Sequence, residues 1–210
     1  MLQFIVVAVM AQQPPFAEDI RLFKERDASA APPKHAILFV GSSSFTKWTD
    51  VQDYFPGYPI INRGFGGSSL PDVIRYAGDI IYPYQPRQIV IYCGENDLAA
   101  ADTVSAATVV SRFKTLFGMI RKQLGDVPVV FVSLKPSPSR ERLFPKMQEA
   151  NAAIKAFLST QKKAVFADVY SRMLDDSGKP IASLFVSDML HMNASGYAIW
   201  KQVLLPLLLK

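Results

Sequence analysis

The sequence predicts an α/β fold, a three-layer α/β/α sandwich on a parallel sheet of about five strands. Two observations carry this. Short apolar runs rich in Val, Ile and Phe recur along the 210 residues, and longer stretches with helical spacing lie between them. Such alternation implies parallel strands with helices on both faces. The runs are nearly all apolar, as expected for strands covered on both sides.

The elements follow in order. Glu18–Asp27 is expected to be a charged surface helix. Ala36–Val40, Pro59–Ile61, Gln88–Cys93, Val127–Leu134 and Ala164–Val169 are the five expected strands. Ala106–Leu124 sets Val109, Val110, Phe113, Leu116, Phe117 and Ile120 at helical spacing. Met147–Leu158 and Ala194–Leu209 read the same way, with Asn193 and Ser195 suited to cap the last helix. No repeat, low-complexity linker or visible boundary interrupts the pattern, so residues 14–210 are read as one domain.

Composition excludes several classes. Half the residues are hydrophobic and a fifth are charged, which is globular and not disordered. The net charge of +5 is scattered without a long basic run, so a solvated basic surface is expected and no nucleic-acid partner. Cys93 is the only cysteine, and His35 and His191 are the only histidines. That leaves no internal disulfide and no zinc-type spacing, and neither metal nor cofactor is expected.

Leu2–Ala11 is apolar apart from Gln3 and is followed by Gln12-Gln13-Pro14-Pro15. The run is far shorter than the roughly 20 residues a bilayer needs, so no stable membrane insertion is expected. Residues 1–13 are read as a signal-peptide remnant, with Ala8 and Ala11 near the cleavage point, although the usual basic start is missing. The protein would then be periplasmic or extracellular. The alternative is an N-terminal arm packed on a cytoplasmic domain.

In open parallel sheets, ligands bind beyond the carboxyl ends of the strands. The segments there are Gly41-Ser42-Ser43-Ser44, Asn62 to Ser68, Gly94-Glu95-Asn96-Asp97, Lys135-Pro136-Ser137, and the long loop reaching Asp188-Met189-Leu190-His191. Each alone is an ordinary turn composition. Their shared rim is the stronger observation. A serine attacks an acyl carbonyl when a base takes its proton, and histidine is the usual base near neutral pH. His35 precedes the first strand and belongs to the opposite rim. His191 can reach the functional one. Asp188, three residues earlier, can turn back to its ring, with Asp168 as a rival partner. Gly67 and Asn96 are placed to offer oxyanion donors. There is no G-x-S-x-G elbow and no phosphate-binding G-x-x-x-x-G-K-[ST] loop.

These blocks, in this order from about Ile37 to the C-terminus, resemble the SGNH/GDSL hydrolase family, with its flavodoxin-like sandwich. The resemblance makes 14–210 a single SGNH hydrolase domain. It implies Ser43 as nucleophile from Gly41-Ser42-Ser43, and Gly67 as amide donor from Gly64-Phe65-Gly66-Gly67-Ser68. It implies Asn96 as side-chain donor from Gly94-Glu95-Asn96-Asp97, and Asp188 and His191 as the remaining triad members. The oxyanion hole would combine Ser43, Gly67 and Asn96. Ser42 stands where the family has aspartate. That aspartate is not the triad acid, so activity is expected, with Ser42 and Ser44 each making a local side-chain-to-backbone bond instead.

The expected function is serine-esterase hydrolysis of short-chain carboxylic esters through an acyl-enzyme, on small-molecule or carbohydrate acetyl esters, without a cofactor. The alternative is a catalytically silent carbohydrate-binding or interaction module on the same fold. Arg63, Lys47 and Lys135 are expected to be solvated surface charges, with attraction of an anionic substrate as the other reading. Oligomeric state is not legible.

Overall fold

The computed structural model describes residues 13–210. The signal-peptide or arm reading of residues 1–13 therefore falls, apart from Gln13, outside the described residues. Among the latter, no helix is long and apolar enough to cross a membrane.

Five strands form one parallel sheet: β1 (Ile37–Gly41), β2 (Ile60–Gly64), β3 (Gln88–Tyr92), β4 (Val129–Val132) and β5 (Ala164–Ala167). Their order is β2-β1-β3-β4-β5. Ile37 pairs with Ile60 on one side and Gln88 on the other, so β1 is an interior strand. The chain leaves β1 towards β2 and returns past it to β3. The crevice where the direction reverses opens at the carboxyl ends of β1 and β3.

The helices are α1 (Ala17–Ser29), α2 (Ser43–Thr46), α3 (Val51–Tyr54), α4 (Leu70–Arg75), α5 (Ala77–Ile80), α6 (Glu95–Ala100), α7 (Ala106–Leu124), α8 (Phe144–Ser159) and α9 (Ala194–Leu204). Alternation along the strands divides the core. Leu38, Val40, Ile89 and Ile91 face α1, α4, α5, α7 and α8. Ile37, Phe39, Val90 and Tyr92 face α2, α3 and α9. The strand at the edge departs from the two-sided pattern: Val165 of β5 is exposed.

The last helix stops at Leu204, short of Leu209, and continues as a tighter 3₁₀ turn over Leu205–Leu207. Pro206 lacks the N–H that would continue the α-helix. Asn193 is its N-cap, with Oδ1 accepting from the N–H groups of Ser195 and Gly196, so Ser195 lies inside the helix. The expected surface helix is α1, but it buries Ile20 and Phe23.

Arg63 and Lys135 differ from both readings of their charge. Arg63 is buried, ion-paired to Asp27, and flanked by the rings of Phe23 and Tyr84 at 5.1 and 4.8 Å. It fastens α1 to β2. Lys135 is buried on Glu95 at 2.8 Å. Lys47 is exposed, as a solvated charge should be.

The turn after β1 depends on Gly41. Its φ is 147°, and a Cβ there would lie 1.9 Å from the carbonyl oxygen of Tyr92. A backbone atom of the neighbouring strand cannot swing away as a side chain would. Gly41→Ala is expected to cost about 3 kcal/mol or more. A lowered urea midpoint at unchanged m would register it. A wild-type midpoint would show that the turn relaxes freely.

Candidate active site

Apolar β1 delivers the chain into the turn Gly41-Ser42-Ser43, and α2 starts at Ser43. The turn is held by its backbone. Ser42 N–H donates to Tyr92 O at 3.1 Å, and Ser42 O accepts from Phe45 and Thr46. Neither Ser42 nor Ser44 makes the expected local side-chain bond. Ser42 gives no side-chain cap, and the buried Ser44 Oγ has no hydrogen-bond partner among the described residues. The backbone of β3 thus anchors the residue that stands in the position of the family aspartate.

Ser43 is half-buried, and its Oγ lies 3.0 Å from His191 Nε2. His191 Nδ1 is 2.6 Å from Asp188 Oδ2. Asp188 Oδ1 accepts from the backbone N–H groups of Leu190 and His191, both at 2.8 Å. The carboxylate thus closes its own turn and orients the ring. Met189, inside that turn, has φ 54°, a left-handed conformation rare for a side-chain-bearing residue. Ser139 holds it there, donating from both N–H and Oγ to Met189 O at 3.0 and 2.9 Å. The rival Asp168 is occupied elsewhere, capping Ser171 N–H and Oγ. His35 precedes β1 at the opposite end of the sheet.

Asp188 is shifted. Burial disfavours its charge, but the hydrogen bonds from the His191 ring, the two backbone N–H groups and the His191 charge outweigh it and lower the carboxyl to about 2. It is ionised throughout the neutral range. Cys93, the lone thiol, is buried, and burial together with the Asp97 charge pushes its pKa well up. It offers no thiolate to compete with Ser43.

Packing brings the two halves of this constellation together. Tyr197 of α9 donates its hydroxyl to Ser44 O at 2.9 Å and stacks on Trp48 at 4.7 Å. Trp200 packs edge-on to Phe45, with centroids 5.9 Å apart. Gly196 lets α9 sit close, since a Cβ would lie 2.5 Å from Leu184 O. The helix that follows His191 is thereby pinned to the helix that begins with Ser43.

Gly67 lies in the loop after β2, and Asn96 lies in the first turn of α6, after β3. Gly67 is exposed at φ 85°. Asn96 Nδ2 donates to Ser68 O at 3.0 Å, which leaves its second N–H without an acceptor among the described residues. Ser68 ties three loops together: its Oγ donates to Gly41 O at 3.2 Å, and its carbonyl also accepts from Cys93 Sγ at 3.8 Å. Nothing in the sequence marks Ser68 beyond its place in the glycine-rich loop. The same holds for the buried cluster of Tyr92, Glu95, Lys135 and Ser137 beside it. Charged residues in rim loops read as solvent-facing until their partners on other strands are known.

The chain resembles known proteins in family and in fold. The model of the GDSL-like lipase/acylhydrolase family matches residues 21–199. No curated protein matches the chain significantly. Among solved structures, a Streptococcus pneumonia protein described as a platelet activating factor superposes with TM-score 0.77 at 20% identity, over 90% of this chain and 91% of that one. A GDSL-like lipase from Bacteroides thetaiotaomicron gives 0.76 at 20% identity, over 89% and 95%. A catalytic mutant of an acetylxylan esterase from Geobacillus stearothermophilus gives 0.66 at 12% identity, over 84% and 94%. At such identities the likeness is one of fold. The family match spans most of the chain, and the chain belongs to the GDSL-like lipase/acylhydrolase family, the carboxylic-ester hydrolases of this fold.

Proposed function

We propose that the protein is a serine esterase that hydrolyses short-chain carboxylic esters, acetyl esters of carbohydrates among them, through an acyl-enzyme on Ser43. The unbroken chain from Ser43 Oγ to His191 Nε2 at 3.0 Å, and from His191 Nδ1 to Asp188 at 2.6 Å, carries this reading. With Asp188 holding the proton on Nδ1, Nε2 accepts the Ser43 proton as Oγ attacks the acyl carbon. The imidazolium then returns that proton to the departing alkoxide. Water, deprotonated by the same Nε2, attacks the acyl-enzyme, and Ser43 leaves reprotonated. Asp188 stays ionised and stabilises the imidazolium. The amides of Ser43 and Gly67 and the spare N–H of Asn96 receive the oxyanion. Asn96→Ala is expected to lower kcat by about 10²–10³, measured on a p-nitrophenyl ester. An unchanged kcat would remove Asn96 from the oxyanion role.

The preference for short acyl groups rests on the loop before α9. It consists of two 3₁₀ turns, Ser171–Met173 and Ala182–Leu184, and two isolated bridges, Leu174 to Pro180 and Phe185 to Met192, with no helical lid. The acetylxylan esterase of the same fold lends support to acetyl substrates. A panel of acetyl, butyryl and octanoyl esters tests it. Acetyl and butyryl esters should give the higher kcat/KM, and a clear octanoyl preference would contradict the reading.

A further inference from the structure

Beyond the carboxyl ends of β3 and β4, the chain buries an ion pair that the hydrolytic steps do not use. Glu95 and Lys135 are 4% and 1% exposed. Lys135 Nζ donates to Glu95 Oε2 at 2.8 Å and to Tyr92 Oη at 3.3 Å. Tyr92 Oη donates in turn to Glu95 Oε2. On the other carboxylate oxygen, Ser137 Oγ lies at 3.4 Å and Arg140 Nε at 3.9 Å. Taking two charges out of water costs several kcal/mol per ion, and an apolar pair of similar volume is often as stable. Stability alone therefore accounts poorly for the pair.

Its connections offer an account. Ser137 Oγ is also 3.4 Å from Leu190 O, the carbonyl of the residue that precedes His191. Tyr92, whose hydroxyl binds Glu95, gives its carbonyl to Ser42 N–H. Asn96 directly follows Glu95. One buried network thus meets the nucleophile turn, the segment carrying Asn96 and the turn carrying His191. We infer that the Glu95–Lys135 ion pair is a positioning device for ester hydrolysis, holding the Asp188–His191 turn and Asn96 in register with Ser43. This rests on the proposed catalytic reading.

The test measures kcat and KM on p-nitrophenyl acetate, per mole of Ser43 titrated by a phosphonate, for wild type, Lys135→Met, Glu95→Gln/Lys135→Met and Ser137→Ala. Misplacement of about 1 Å costs roughly 10²-fold in rate. Lys135→Met should lose about that factor in kcat with KM nearly unchanged. The charge-balanced double variant should recover part of the loss, because it leaves no unpaired carboxylate. Ser137→Ala, which removes one bridging hydroxyl, should lose about tenfold in kcat, a milder form of the same misplacement. Wild-type kcat in Lys135→Met, with only its melting temperature lowered, would overturn the inference. If that variant does not fold, wild-type kcat in Ser137→Ala would overturn it. Wild-type activity that survives in Ser43→Ala would instead overturn the catalytic reading and this inference together.

Discussion

Ser43→Ala is expected to lower kcat on a short p-nitrophenyl ester by about 10⁶-fold, to the residual rate that binding and oxyanion donors sustain. The size follows from geometry. Ser43 Oγ is the hydroxyl at 3.0 Å from His191 Nε2. Ser44 is buried, and its carbonyl, not its hydroxyl, engages the last helix through Tyr197. Ser42 is buried and serves the turn through its backbone. Neither neighbour can take over. The loss should fall in kcat and kcat/KM alike, since attack exists only in the transition state. Folding should be nearly unaffected, because the half-buried Ser43 side chain contributes little core packing. A variant within tenfold of wild type would reassign the nucleophile.

Asp188→Asn is expected to lower kcat by about 10⁴ at neutral pH. The carboxylate accepts from Nδ1, which leaves Nε2 free to accept from Ser43. An amide nitrogen in its place favours the opposite tautomer, with the proton on Nε2 facing Ser43, and attack loses its base. A second consequence concerns stability. The folded carboxyl, lowered to about 2, lies below its unfolded value near ~3.9. The unfolded state therefore binds the proton more readily, and the contribution is fully present above the unfolded value. It is lost as pH falls through about 2. The stability gap between wild type and Asp188→Asn should accordingly shrink between about pH 5 and pH 2 in urea titrations. Asp188 is exposed enough for solvent to screen it, so the effect should be small beside the kinetic one. A gap independent of pH over that range would contradict the origin given for the shift.

The strands were legible where both neighbours bury them, and less so elsewhere. β2 reads from sequence only as Pro59–Ile61, yet it runs to Gly64. Asn62 and Arg63 look wrong for a strand until their partners are seen. Asn62 Nδ2 donates to Phe45 O at 2.7 Å and its Oδ1 accepts from Gly64 N–H, while Arg63 lies between two rings. Helix α7 was legible over its whole length because 19 residues give the apolar period room to repeat. Helices α2 to α6 are four to six residues each, and no period can show in so few. At the site, the spacing of Asp188 and His191 announces a local turn, which geometry within one loop can supply. The meeting of His191 with Ser43, 148 residues apart, depends on α9 docking through Tyr197 and Trp200. Glu95 and Lys135 were illegible as a pair for the same reason. Each follows a different strand, Glu95 at the start of α6 and Lys135 in the loop after β4, and the parallel register of β3 and β4 brings them together.

Gly41-Ser42-Ser43 is therefore a backbone-held turn at the sheet's reversal point, with one hydroxyl aimed at an oriented histidine. The most direct measurement of that claim is covalent labelling of the folded protein with a serine-directed phosphonate, with the adduct located by peptide mass spectrometry. The account predicts one adduct per chain, on Ser43, and none in Ser43→Ala. A folded protein that takes no label, or takes it on another residue, would contradict the account.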